Sequence, residues 1–204
     1  ERVGNIMIDS LVMMTPAIQN ENTISDLKLE GKEFGVVTIH RPANVDHGEK
    51  LGKIVDALLD LSDIIRLVFT VHPRTKKRLV QFGLLNRLER AKSIMLQEPL
   101  SYKSFMNLVF NAKVVVTDSG GIQEETTYLG IPCLTLRPNT ERPITITQGT
   151  NRLVEIGDLH RNFMNAIKNG GRRKTTIEFW DGRTAGRIVQ FLKNQTGLTD
   201  RQDV

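Results

Sequence analysis

Cysteine is almost absent: Cys133 is the only one in 204 residues, so an intramolecular disulfide framework and a cysteine-built metal site are excluded. It lies inside the apolar run from Ile131 to Leu136, and a reducing, cytoplasmic setting is the expectation. Aromatic residues make up only 5%, too few to supply the stacking platforms of a nucleic-acid surface. No apolar stretch approaches the ~18 residues of a membrane span, and no signal-peptide pattern is present. Long runs of one charge are missing too. The formal charge is +5, but only Lys76-Lys77-Arg78 and Arg172-Arg173-Lys174 form short basic runs. So mild an excess suits a small anionic ligand better than a polyanion. The chain opens on Glu1-Arg2-Val3 without an initiator methionine and reads as a segment of a longer polypeptide.

With 39% hydrophobic residues, the chain is long enough to bury a substantial core. Apolar, β-rich runs recur at Phe34 to Ile39, Ile65 to Val71, Ser93 to Leu96, Lys113 to Thr117, Ile131 to Leu136 and Asn151 to Val154. Helical patterns separate most of them: Leu51, Ile54, Val55, Leu58 and Leu59 follow the i, i+3, i+4, i+7, i+8 spacing of an amphipathic helix. Tyr102, Phe105, Met106 and Val109 repeat it, as do Leu159, Phe163, Ala166 and Ile167, and then Ala185, Ile188, Val189 and Leu192. Strands alternating with helices predict an α/β fold: a doubly wound parallel sheet with helices on both faces. Residues 1–31 read as the tail of a preceding domain and a polar hinge. Residues 32–204 read as one domain ending in a C-terminal helix.

The most telling stretch is Val114-Val115-Val116-Thr117-Asp118-Ser119-Gly120-Gly121-Ile122-Gln123-Glu124-Glu125. A β-branched run suits a strand covered on both faces, and Ser-Gly-Gly lets the backbone turn at once into a helix. Bare N–H groups and the positive end of the helix dipole would then favour a phosphate or pyrophosphate above the sheet. An ordinary turn capped by Asp118 or Ser119 explains the segment equally well. Helical rotation puts Glu125 on the packed side with Ile122 and Leu129, and Glu124 with Tyr128 on the other. A carboxylate on a packed face needs donors, and a ribose diol would supply two.

In open α/β sheets ligands collect at the carboxyl ends of the strands. His40-Arg41, His72-Pro73-Arg74, Ser119-Gly120-Gly121 and Arg137 all fall at such ends, so one crevice would gather them. Either histidine alone is as well explained by a bond to a neighbouring loop, but two at equivalent positions, each followed closely by arginine, favour a shared site. Arg137, Glu141 and Arg142 extend the same rim, where arginine suits bidentate contact with a diphosphate. No His/Asp/Glu cluster has metal-ligand spacing, so no metal or other cofactor is expected. A serine-hydrolase elbow is absent, since Thr117 stands where its first glycine belongs.

Taken together these motifs resemble the non-hydrolysing UDP-N-acetylglucosamine 2-epimerases, specifically their C-terminal, nucleotide-binding half. Val37-Thr38-Ile39-His40-Arg41-Pro42, Val71-His72-Pro73, the Thr117 to Glu125 string, Gly130-Ile131-Pro132, Thr140-Glu141-Arg142-Pro143, Gly149 to Val154 and Trp180-Asp181-Gly182 carry the likeness, which spans nearly the whole chain. The resemblance implies a glycosyltransferase-B-type enzyme with its active site between two Rossmann-like halves. It also implies interconversion of UDP-GlcNAc and UDP-ManNAc, by anti elimination of UDP to a 2-acetamidoglucal and re-addition on the other face. Ser119, Gly120 and Gly121 would hold the diphosphate, Glu125 the ribose hydroxyls, and Arg142 would sit near the phosphates, with His72, Arg41 and Arg137 along the rim. His40 matches the family's active-site histidine, placed to stabilise the departing UDP or shuttle a proton.

The implied partners are UDP or UDP-GlcNAc and an N-terminal Rossmann-like half; a homodimer of the full-length enzyme is compatible with the resemblance, and no nucleic acid or membrane is expected. Without the other half this chain is expected to bind ligand and not to epimerise. One departure stands out. Members that bind a second substrate as activator follow the His-Arg pair with Arg-Glu, whereas Pro42 and Ala43 occupy those positions here. The competing readings are a glycosyltransferase of the same fold and a non-catalytic nucleotide-sugar binding module.

Overall fold

A computed structural model describes residues 1–169, 171–173 and 175–196; Lys174 of the second basic run and positions 197–204 of the expected domain lie outside the described residues. Six short segments form strands: β1 Phe34–Thr38, β2 Arg66–Thr70, β3 Ile94–Gln97, β4 Val114–Thr117, β5 Cys133–Thr135 and β6 Asn151–Leu153. All pair in parallel in one sheet of order β3-β2-β1-β4-β5-β6. Each lies within or at the edge of its expected run, and the α/β doubly wound architecture is as expected.

The helices are α1 Ile6–Gln19, α2 Thr23–Asp26, α3 Pro42–Val45, α4 Gly48–Ser62, α5 Pro73–Gln81, α6 Leu85–Glu89, α7 Tyr102–Asn111, α8 Gly120–Leu129, α9 Ile144–Thr147, α10 Ile156–Asn169 and α11 Thr184–Thr196. Successive strand side chains point to opposite faces, which divides the core in two. Val37, Val114 and Val116 pack on one side with Leu51, Ile54 and Leu58 of α4 and Leu159 and Phe163 of α10. Val36 and Val115 pack on the other with Leu11 and Ile18 of α1 and Met106 and Val109 of α7. Each such side chain, removed from water, contributes about 1.5–3 kcal/mol before chain entropy is set against it.

Residues 1–31 carry two helices. Asn5 caps α1, its Oδ1 accepting from the Met7 amide at 2.9 Å, and Ile8, Leu11 and Ile18 are fully buried. The stretch expected as a polar loop includes α2, and Leu29 is buried against the same face as Ile24 and Leu27.

Two features of this frame position the site. The chain winds outward from β1 through β2 to β3, returns to lay β4 beside β1, then continues outward through β5 and β6. Connections leaving β1 and β4 therefore diverge, and a crevice opens at the switch point beyond their carboxyl ends. The second feature is the abrupt end of α8. Gly130 has φ +72°, its amide donates to the Thr127 carbonyl at 3.1 Å, and the Ile131 amide donates to Thr126 at 2.8 Å. This left-handed cap turns the chain straight into β5.

Candidate functional site

β4 is wholly buried and delivers Asp118 and Ser119 to the switch point. Ser119 occupies the N-cap position of the ten-residue helix α8, yet no side chain caps the first turn. The capping by Asp118 or Ser119 weighed from the sequence is therefore not what occurs. The Ser119 amide donates backward to Thr117 Oγ1 at 3.0 Å, and Asp118 turns toward β1. The helix N-terminus is left with its dipole uncompensated, the electrostatic condition for anion binding. Gly120 matters through close approach: a Cβ there would lie 2.9 Å from Arg142 Nη1. The guanidinium thus rests on the turn itself.

Arg142 is held by carboxylates. Its Nε lies 2.7 Å from Glu124 Oε2, and its Nη1 lies 3.8 Å from Glu141 Oε2. In the first contact the charges meet but the N–H is aimed off the oxygen, so Nε and Oε2 both lack an aligned hydrogen bond. Glu124 Oε1 accepts from Asn5 Nδ2 at 2.8 Å. This corrects the expectation that Glu124 lies away from the packed side, since Glu124 and Glu125 are both buried. The reason is tertiary: α1 and the segment bearing Arg142 close over the side of α8 that rotation alone would leave to water.

A buried polar network fastens that segment. Gln123 is fully buried, and its Oε1 accepts from Thr140 Oγ1 at 2.6 Å and from Asn151 Nδ2 at 3.0 Å. Its Nε2 donates to the Ser119 carbonyl at 3.2 Å. Arg137 forms a two-pronged pair with Glu141, at 2.9 and 2.6 Å, which pulls the Glu141 carboxyl down to about 2. Glu125 Oε1 accepts from the Tyr102 hydroxyl at 2.8 Å. Burial pushes the Glu125 carboxyl above its ordinary value, opposed by the Tyr102 hydrogen bond and aided by Glu124.

On the β1 side, His40 and Arg41 leave the strand end, and the His40 ring is one-third exposed. Its centroid lies 5.2 Å from that of His72, with planes tilted by 33°. The His72 Nδ1 accepts from the Arg74 amide at 3.2 Å, so His72 also caps α5. Both rings line a pocket of about 190 Å³ with Ser119, Ile122, Thr38 and Phe105. Burial lowers the His40 pKa; the Asp118 carboxylate raises it, and His72 and Arg41 lower it further. The structure thus brings His40, His72 and Ser119 into one pocket, with Gly120, Arg142, Glu141 and Arg137 continuing the rim. Glu125 lies deeper on α8, held by α7. Sequence reasoning did not single out Asn44, Tyr102, Gln123 or Asn151, and treated Asp118 only as a helix cap. Asp118, directly before the Ser-Gly-Gly turn, was the one with a local signal.

Fold and site together define a Rossmann-like half of the glycosyltransferase-B kind, with an uncapped helix N-terminus at its topological switch point. The family model for UDP-N-acetylglucosamine 2-epimerase matches residues 1–193, and the chain belongs to that family. It is 38% identical over 198 residues to the UDP-N-acetylglucosamine 2-epimerase of Methanocaldococcus jannaschii, an alignment that takes in 93% of this chain and 53% of that protein. The crystal structure of the M. jannaschii enzyme in complex with UDP-GlcNAc and UDP superposes with a TM-score of 0.84 at 36% identity, over 95% of this chain and 54% of that one. A UDP-2,3-diacetamido-2,3-dideoxy-D-glucuronate 2-epimerase from Pseudomonas aeruginosa is 32% identical over 198 residues, 93% of this chain and 51% of that protein. The chain spans about half the length of the curated relatives it matches.

Proposed function

We propose that this chain is the C-terminal, UDP-binding half of a 2-epimerase that interconverts UDP-GlcNAc and UDP-ManNAc, supplying a precursor for cell-surface polysaccharide from the cytoplasm. The observation that carries this reading is the uncapped N-terminus of α8 with Arg142 lying on Gly120, at the crevice that also holds His40. A diphosphate in that place would receive helix amides and a guanidinium whose Nε has no aligned acceptor. It would replace an imperfect ion pair with charge-assisted hydrogen bonds. Ser119, Gly120 and Gly121 cradle the phosphates in this reading, and Glu125 takes the ribose hydroxyls. Arg41, His72 and Arg137 supply the positive rim.

The chemistry is elimination of UDP across C1–C2 and its re-addition to the other face of the glucal. Such a reaction needs a base at C2, stabilisation of the leaving diphosphate, and a closed site that retains the intermediate. The groups described here serve the leaving group, with His40 in the same crevice placed to shuttle a proton to it. The base at C2 belongs to the facing half, so this chain alone binds UDP without epimerising. The full-length enzyme, whether monomer or homodimer, closes the cleft. The P. aeruginosa relative favours one variation, a 2-epimerase acting on a different UDP-sugar, because a half that grips only UDP leaves the choice of sugar to its partner half.

Isothermal titration of the chain with UDP tests the binding role, with a measurable heat whose affinity weakens in Arg142→Ala as the expected result. For the full-length protein, UDP-ManNAc formation without any acceptor, with deuterium entering C2 in D₂O, is expected. Absence of C2 exchange alongside intact UDP binding would leave a binding module and overturn the epimerase reading.

A further inference from the structure

Asp118 is fully buried and makes contacts that a helix cap would not. Its carboxylate accepts from the His40 amide at 3.0 and 3.1 Å, from the Arg41 amide at 2.8 Å and from Asn44 Nδ2 at 3.0 Å. The same Asn44 nitrogen donates to the Leu136 carbonyl at 2.9 Å, and Arg41 Nε reaches back to the Asp118 carbonyl at 3.3 Å. Asp118 and Asn44 therefore tie together the ends of β1, β4 and β5. Three N–H donors converging on a buried group suit a full negative charge. That charge stands 3.4 Å from His40 Nδ1.

We propose that Asp118 is the positioning residue for His40: its carboxylate, held by the His40 and Arg41 amides, keeps the ring proton on Nδ1 and leaves Nε2 as the nitrogen with the free lone pair. The reasoning rests on geometry and on the reading of His40 as the group that serves the leaving diphosphate. A carboxylate beside one ring nitrogen selects the tautomer with its proton there, and stabilises the imidazolium if the other nitrogen gains one. The charged and titratable neighbours of His40 are Asp118, His72 and Arg41. Among the described residues Asp118 is the only anion in that set, so tautomer selection falls to it. Asp118 itself need not touch substrate.

The test is nitrogen-15 NMR of the histidine rings in this chain without ligand, the His40 signals being those that vanish in His40→Gln. The wild type is expected to show the Nδ1–H tautomer. In Asp118→Asn the ratio of Nδ1–H to Nε2–H is expected to fall by ~5-fold, the size of a close charge contact in a solvated setting, and His40 should titrate at lower pH. Asn44→Ala, which keeps the carboxylate, is expected to retain the wild-type tautomer. An Nε2–H tautomer in the wild type overturns the proposal without recourse to any variant. An Asn44→Ala shift as large as that of Asp118→Asn overturns it as well, since loop displacement would then be the cause. UDP titration of the same sample reports separately on the nucleotide reading, because the tautomer is measured with no nucleotide present.

Discussion

The Tyr102 hydroxyl donates to Glu125 Oε1 at 2.8 Å, joining α7 to the inner face of α8. The carboxylate is therefore buried with one protein donor in place, and burial raises its pKa. A folded-state pKa above the unfolded value means the native chain binds the proton more readily. Stability from this group is fully present below the ordinary value of 4.5 and is lost as pH rises through the raised value. Glu125→Gln, which can still accept from Tyr102, is expected to raise the thermal midpoint at neutral pH, with no gain below 4.5. Melting curves across that range check it. The same substitution should weaken UDP binding, because an amide accepts less strongly from a ribose diol; Glu125→Ala should weaken it more than Ser119→Ala does.

Arg142 and Glu124 meet without an aligned hydrogen bond, so their exchange for a phosphate is inexpensive. Arg142→Ala is expected to weaken UDP binding by ~10- to 100-fold, the range for a lost hydrogen bond to a charged group. Glu124→Gln removes a negative charge next to the cradle and should bind UDP several-fold more tightly. Calorimetry at two ionic strengths distinguishes the two variants, and salt should weaken the wild type more than Arg142→Ala.

The Arg137 pair with Glu141 holds that carboxyl at about 2. In Arg137→Gln the Glu141 carboxyl should rise toward its ordinary 4.5 while staying below it, since its backbone hydrogen bond and Arg41 still lower it, as followed by carboxyl carbon-13 shifts. Its folded-state pKa lies below the unfolded one, so the linked stabilisation is present above 4.5 and is lost as pH falls toward 2. Arg137→Gln should weaken UDP binding less than Arg142→Ala, because its guanidinium is already engaged on both prongs.

Gly130 ends α8 at φ +72°, and a Cβ there would run into the Arg173 carbonyl. Gly130→Ala is expected to cost at least ~2 kcal/mol, from left-handed strain plus the clash. A urea midpoint that falls at constant slope would show it.

Local pattern made most of the fold legible. β-branched runs such as Val114 to Val116 and the spacing of Leu51, Ile54, Val55 and Leu58 specify strand and helix through side-chain geometry that needs no distant partner. The Ser-Gly-Gly turn was readable for the same reason, because the chain itself dictates where it can bend. The family match over residues 1–193 agrees with the resemblance those motifs carry.

By itself, then, the sequence determined the alternation of strands and helices, the Ser-Gly-Gly turn and the strand-end positions of His40, His72 and Arg137. Only the tertiary structure decided that β1 and β4 lie side by side, that Asp118 faces His40 instead of capping α8, and that α1 and the Arg142 segment bury Glu124. Periodicity reports the neighbours a residue has along its own helix or strand. Those three outcomes depend on separate segments meeting in space, with a separation of 78 residues from His40 to Asp118 and 119 from Asn5 to Glu124, which is decided by which surfaces the whole chain can bury at once.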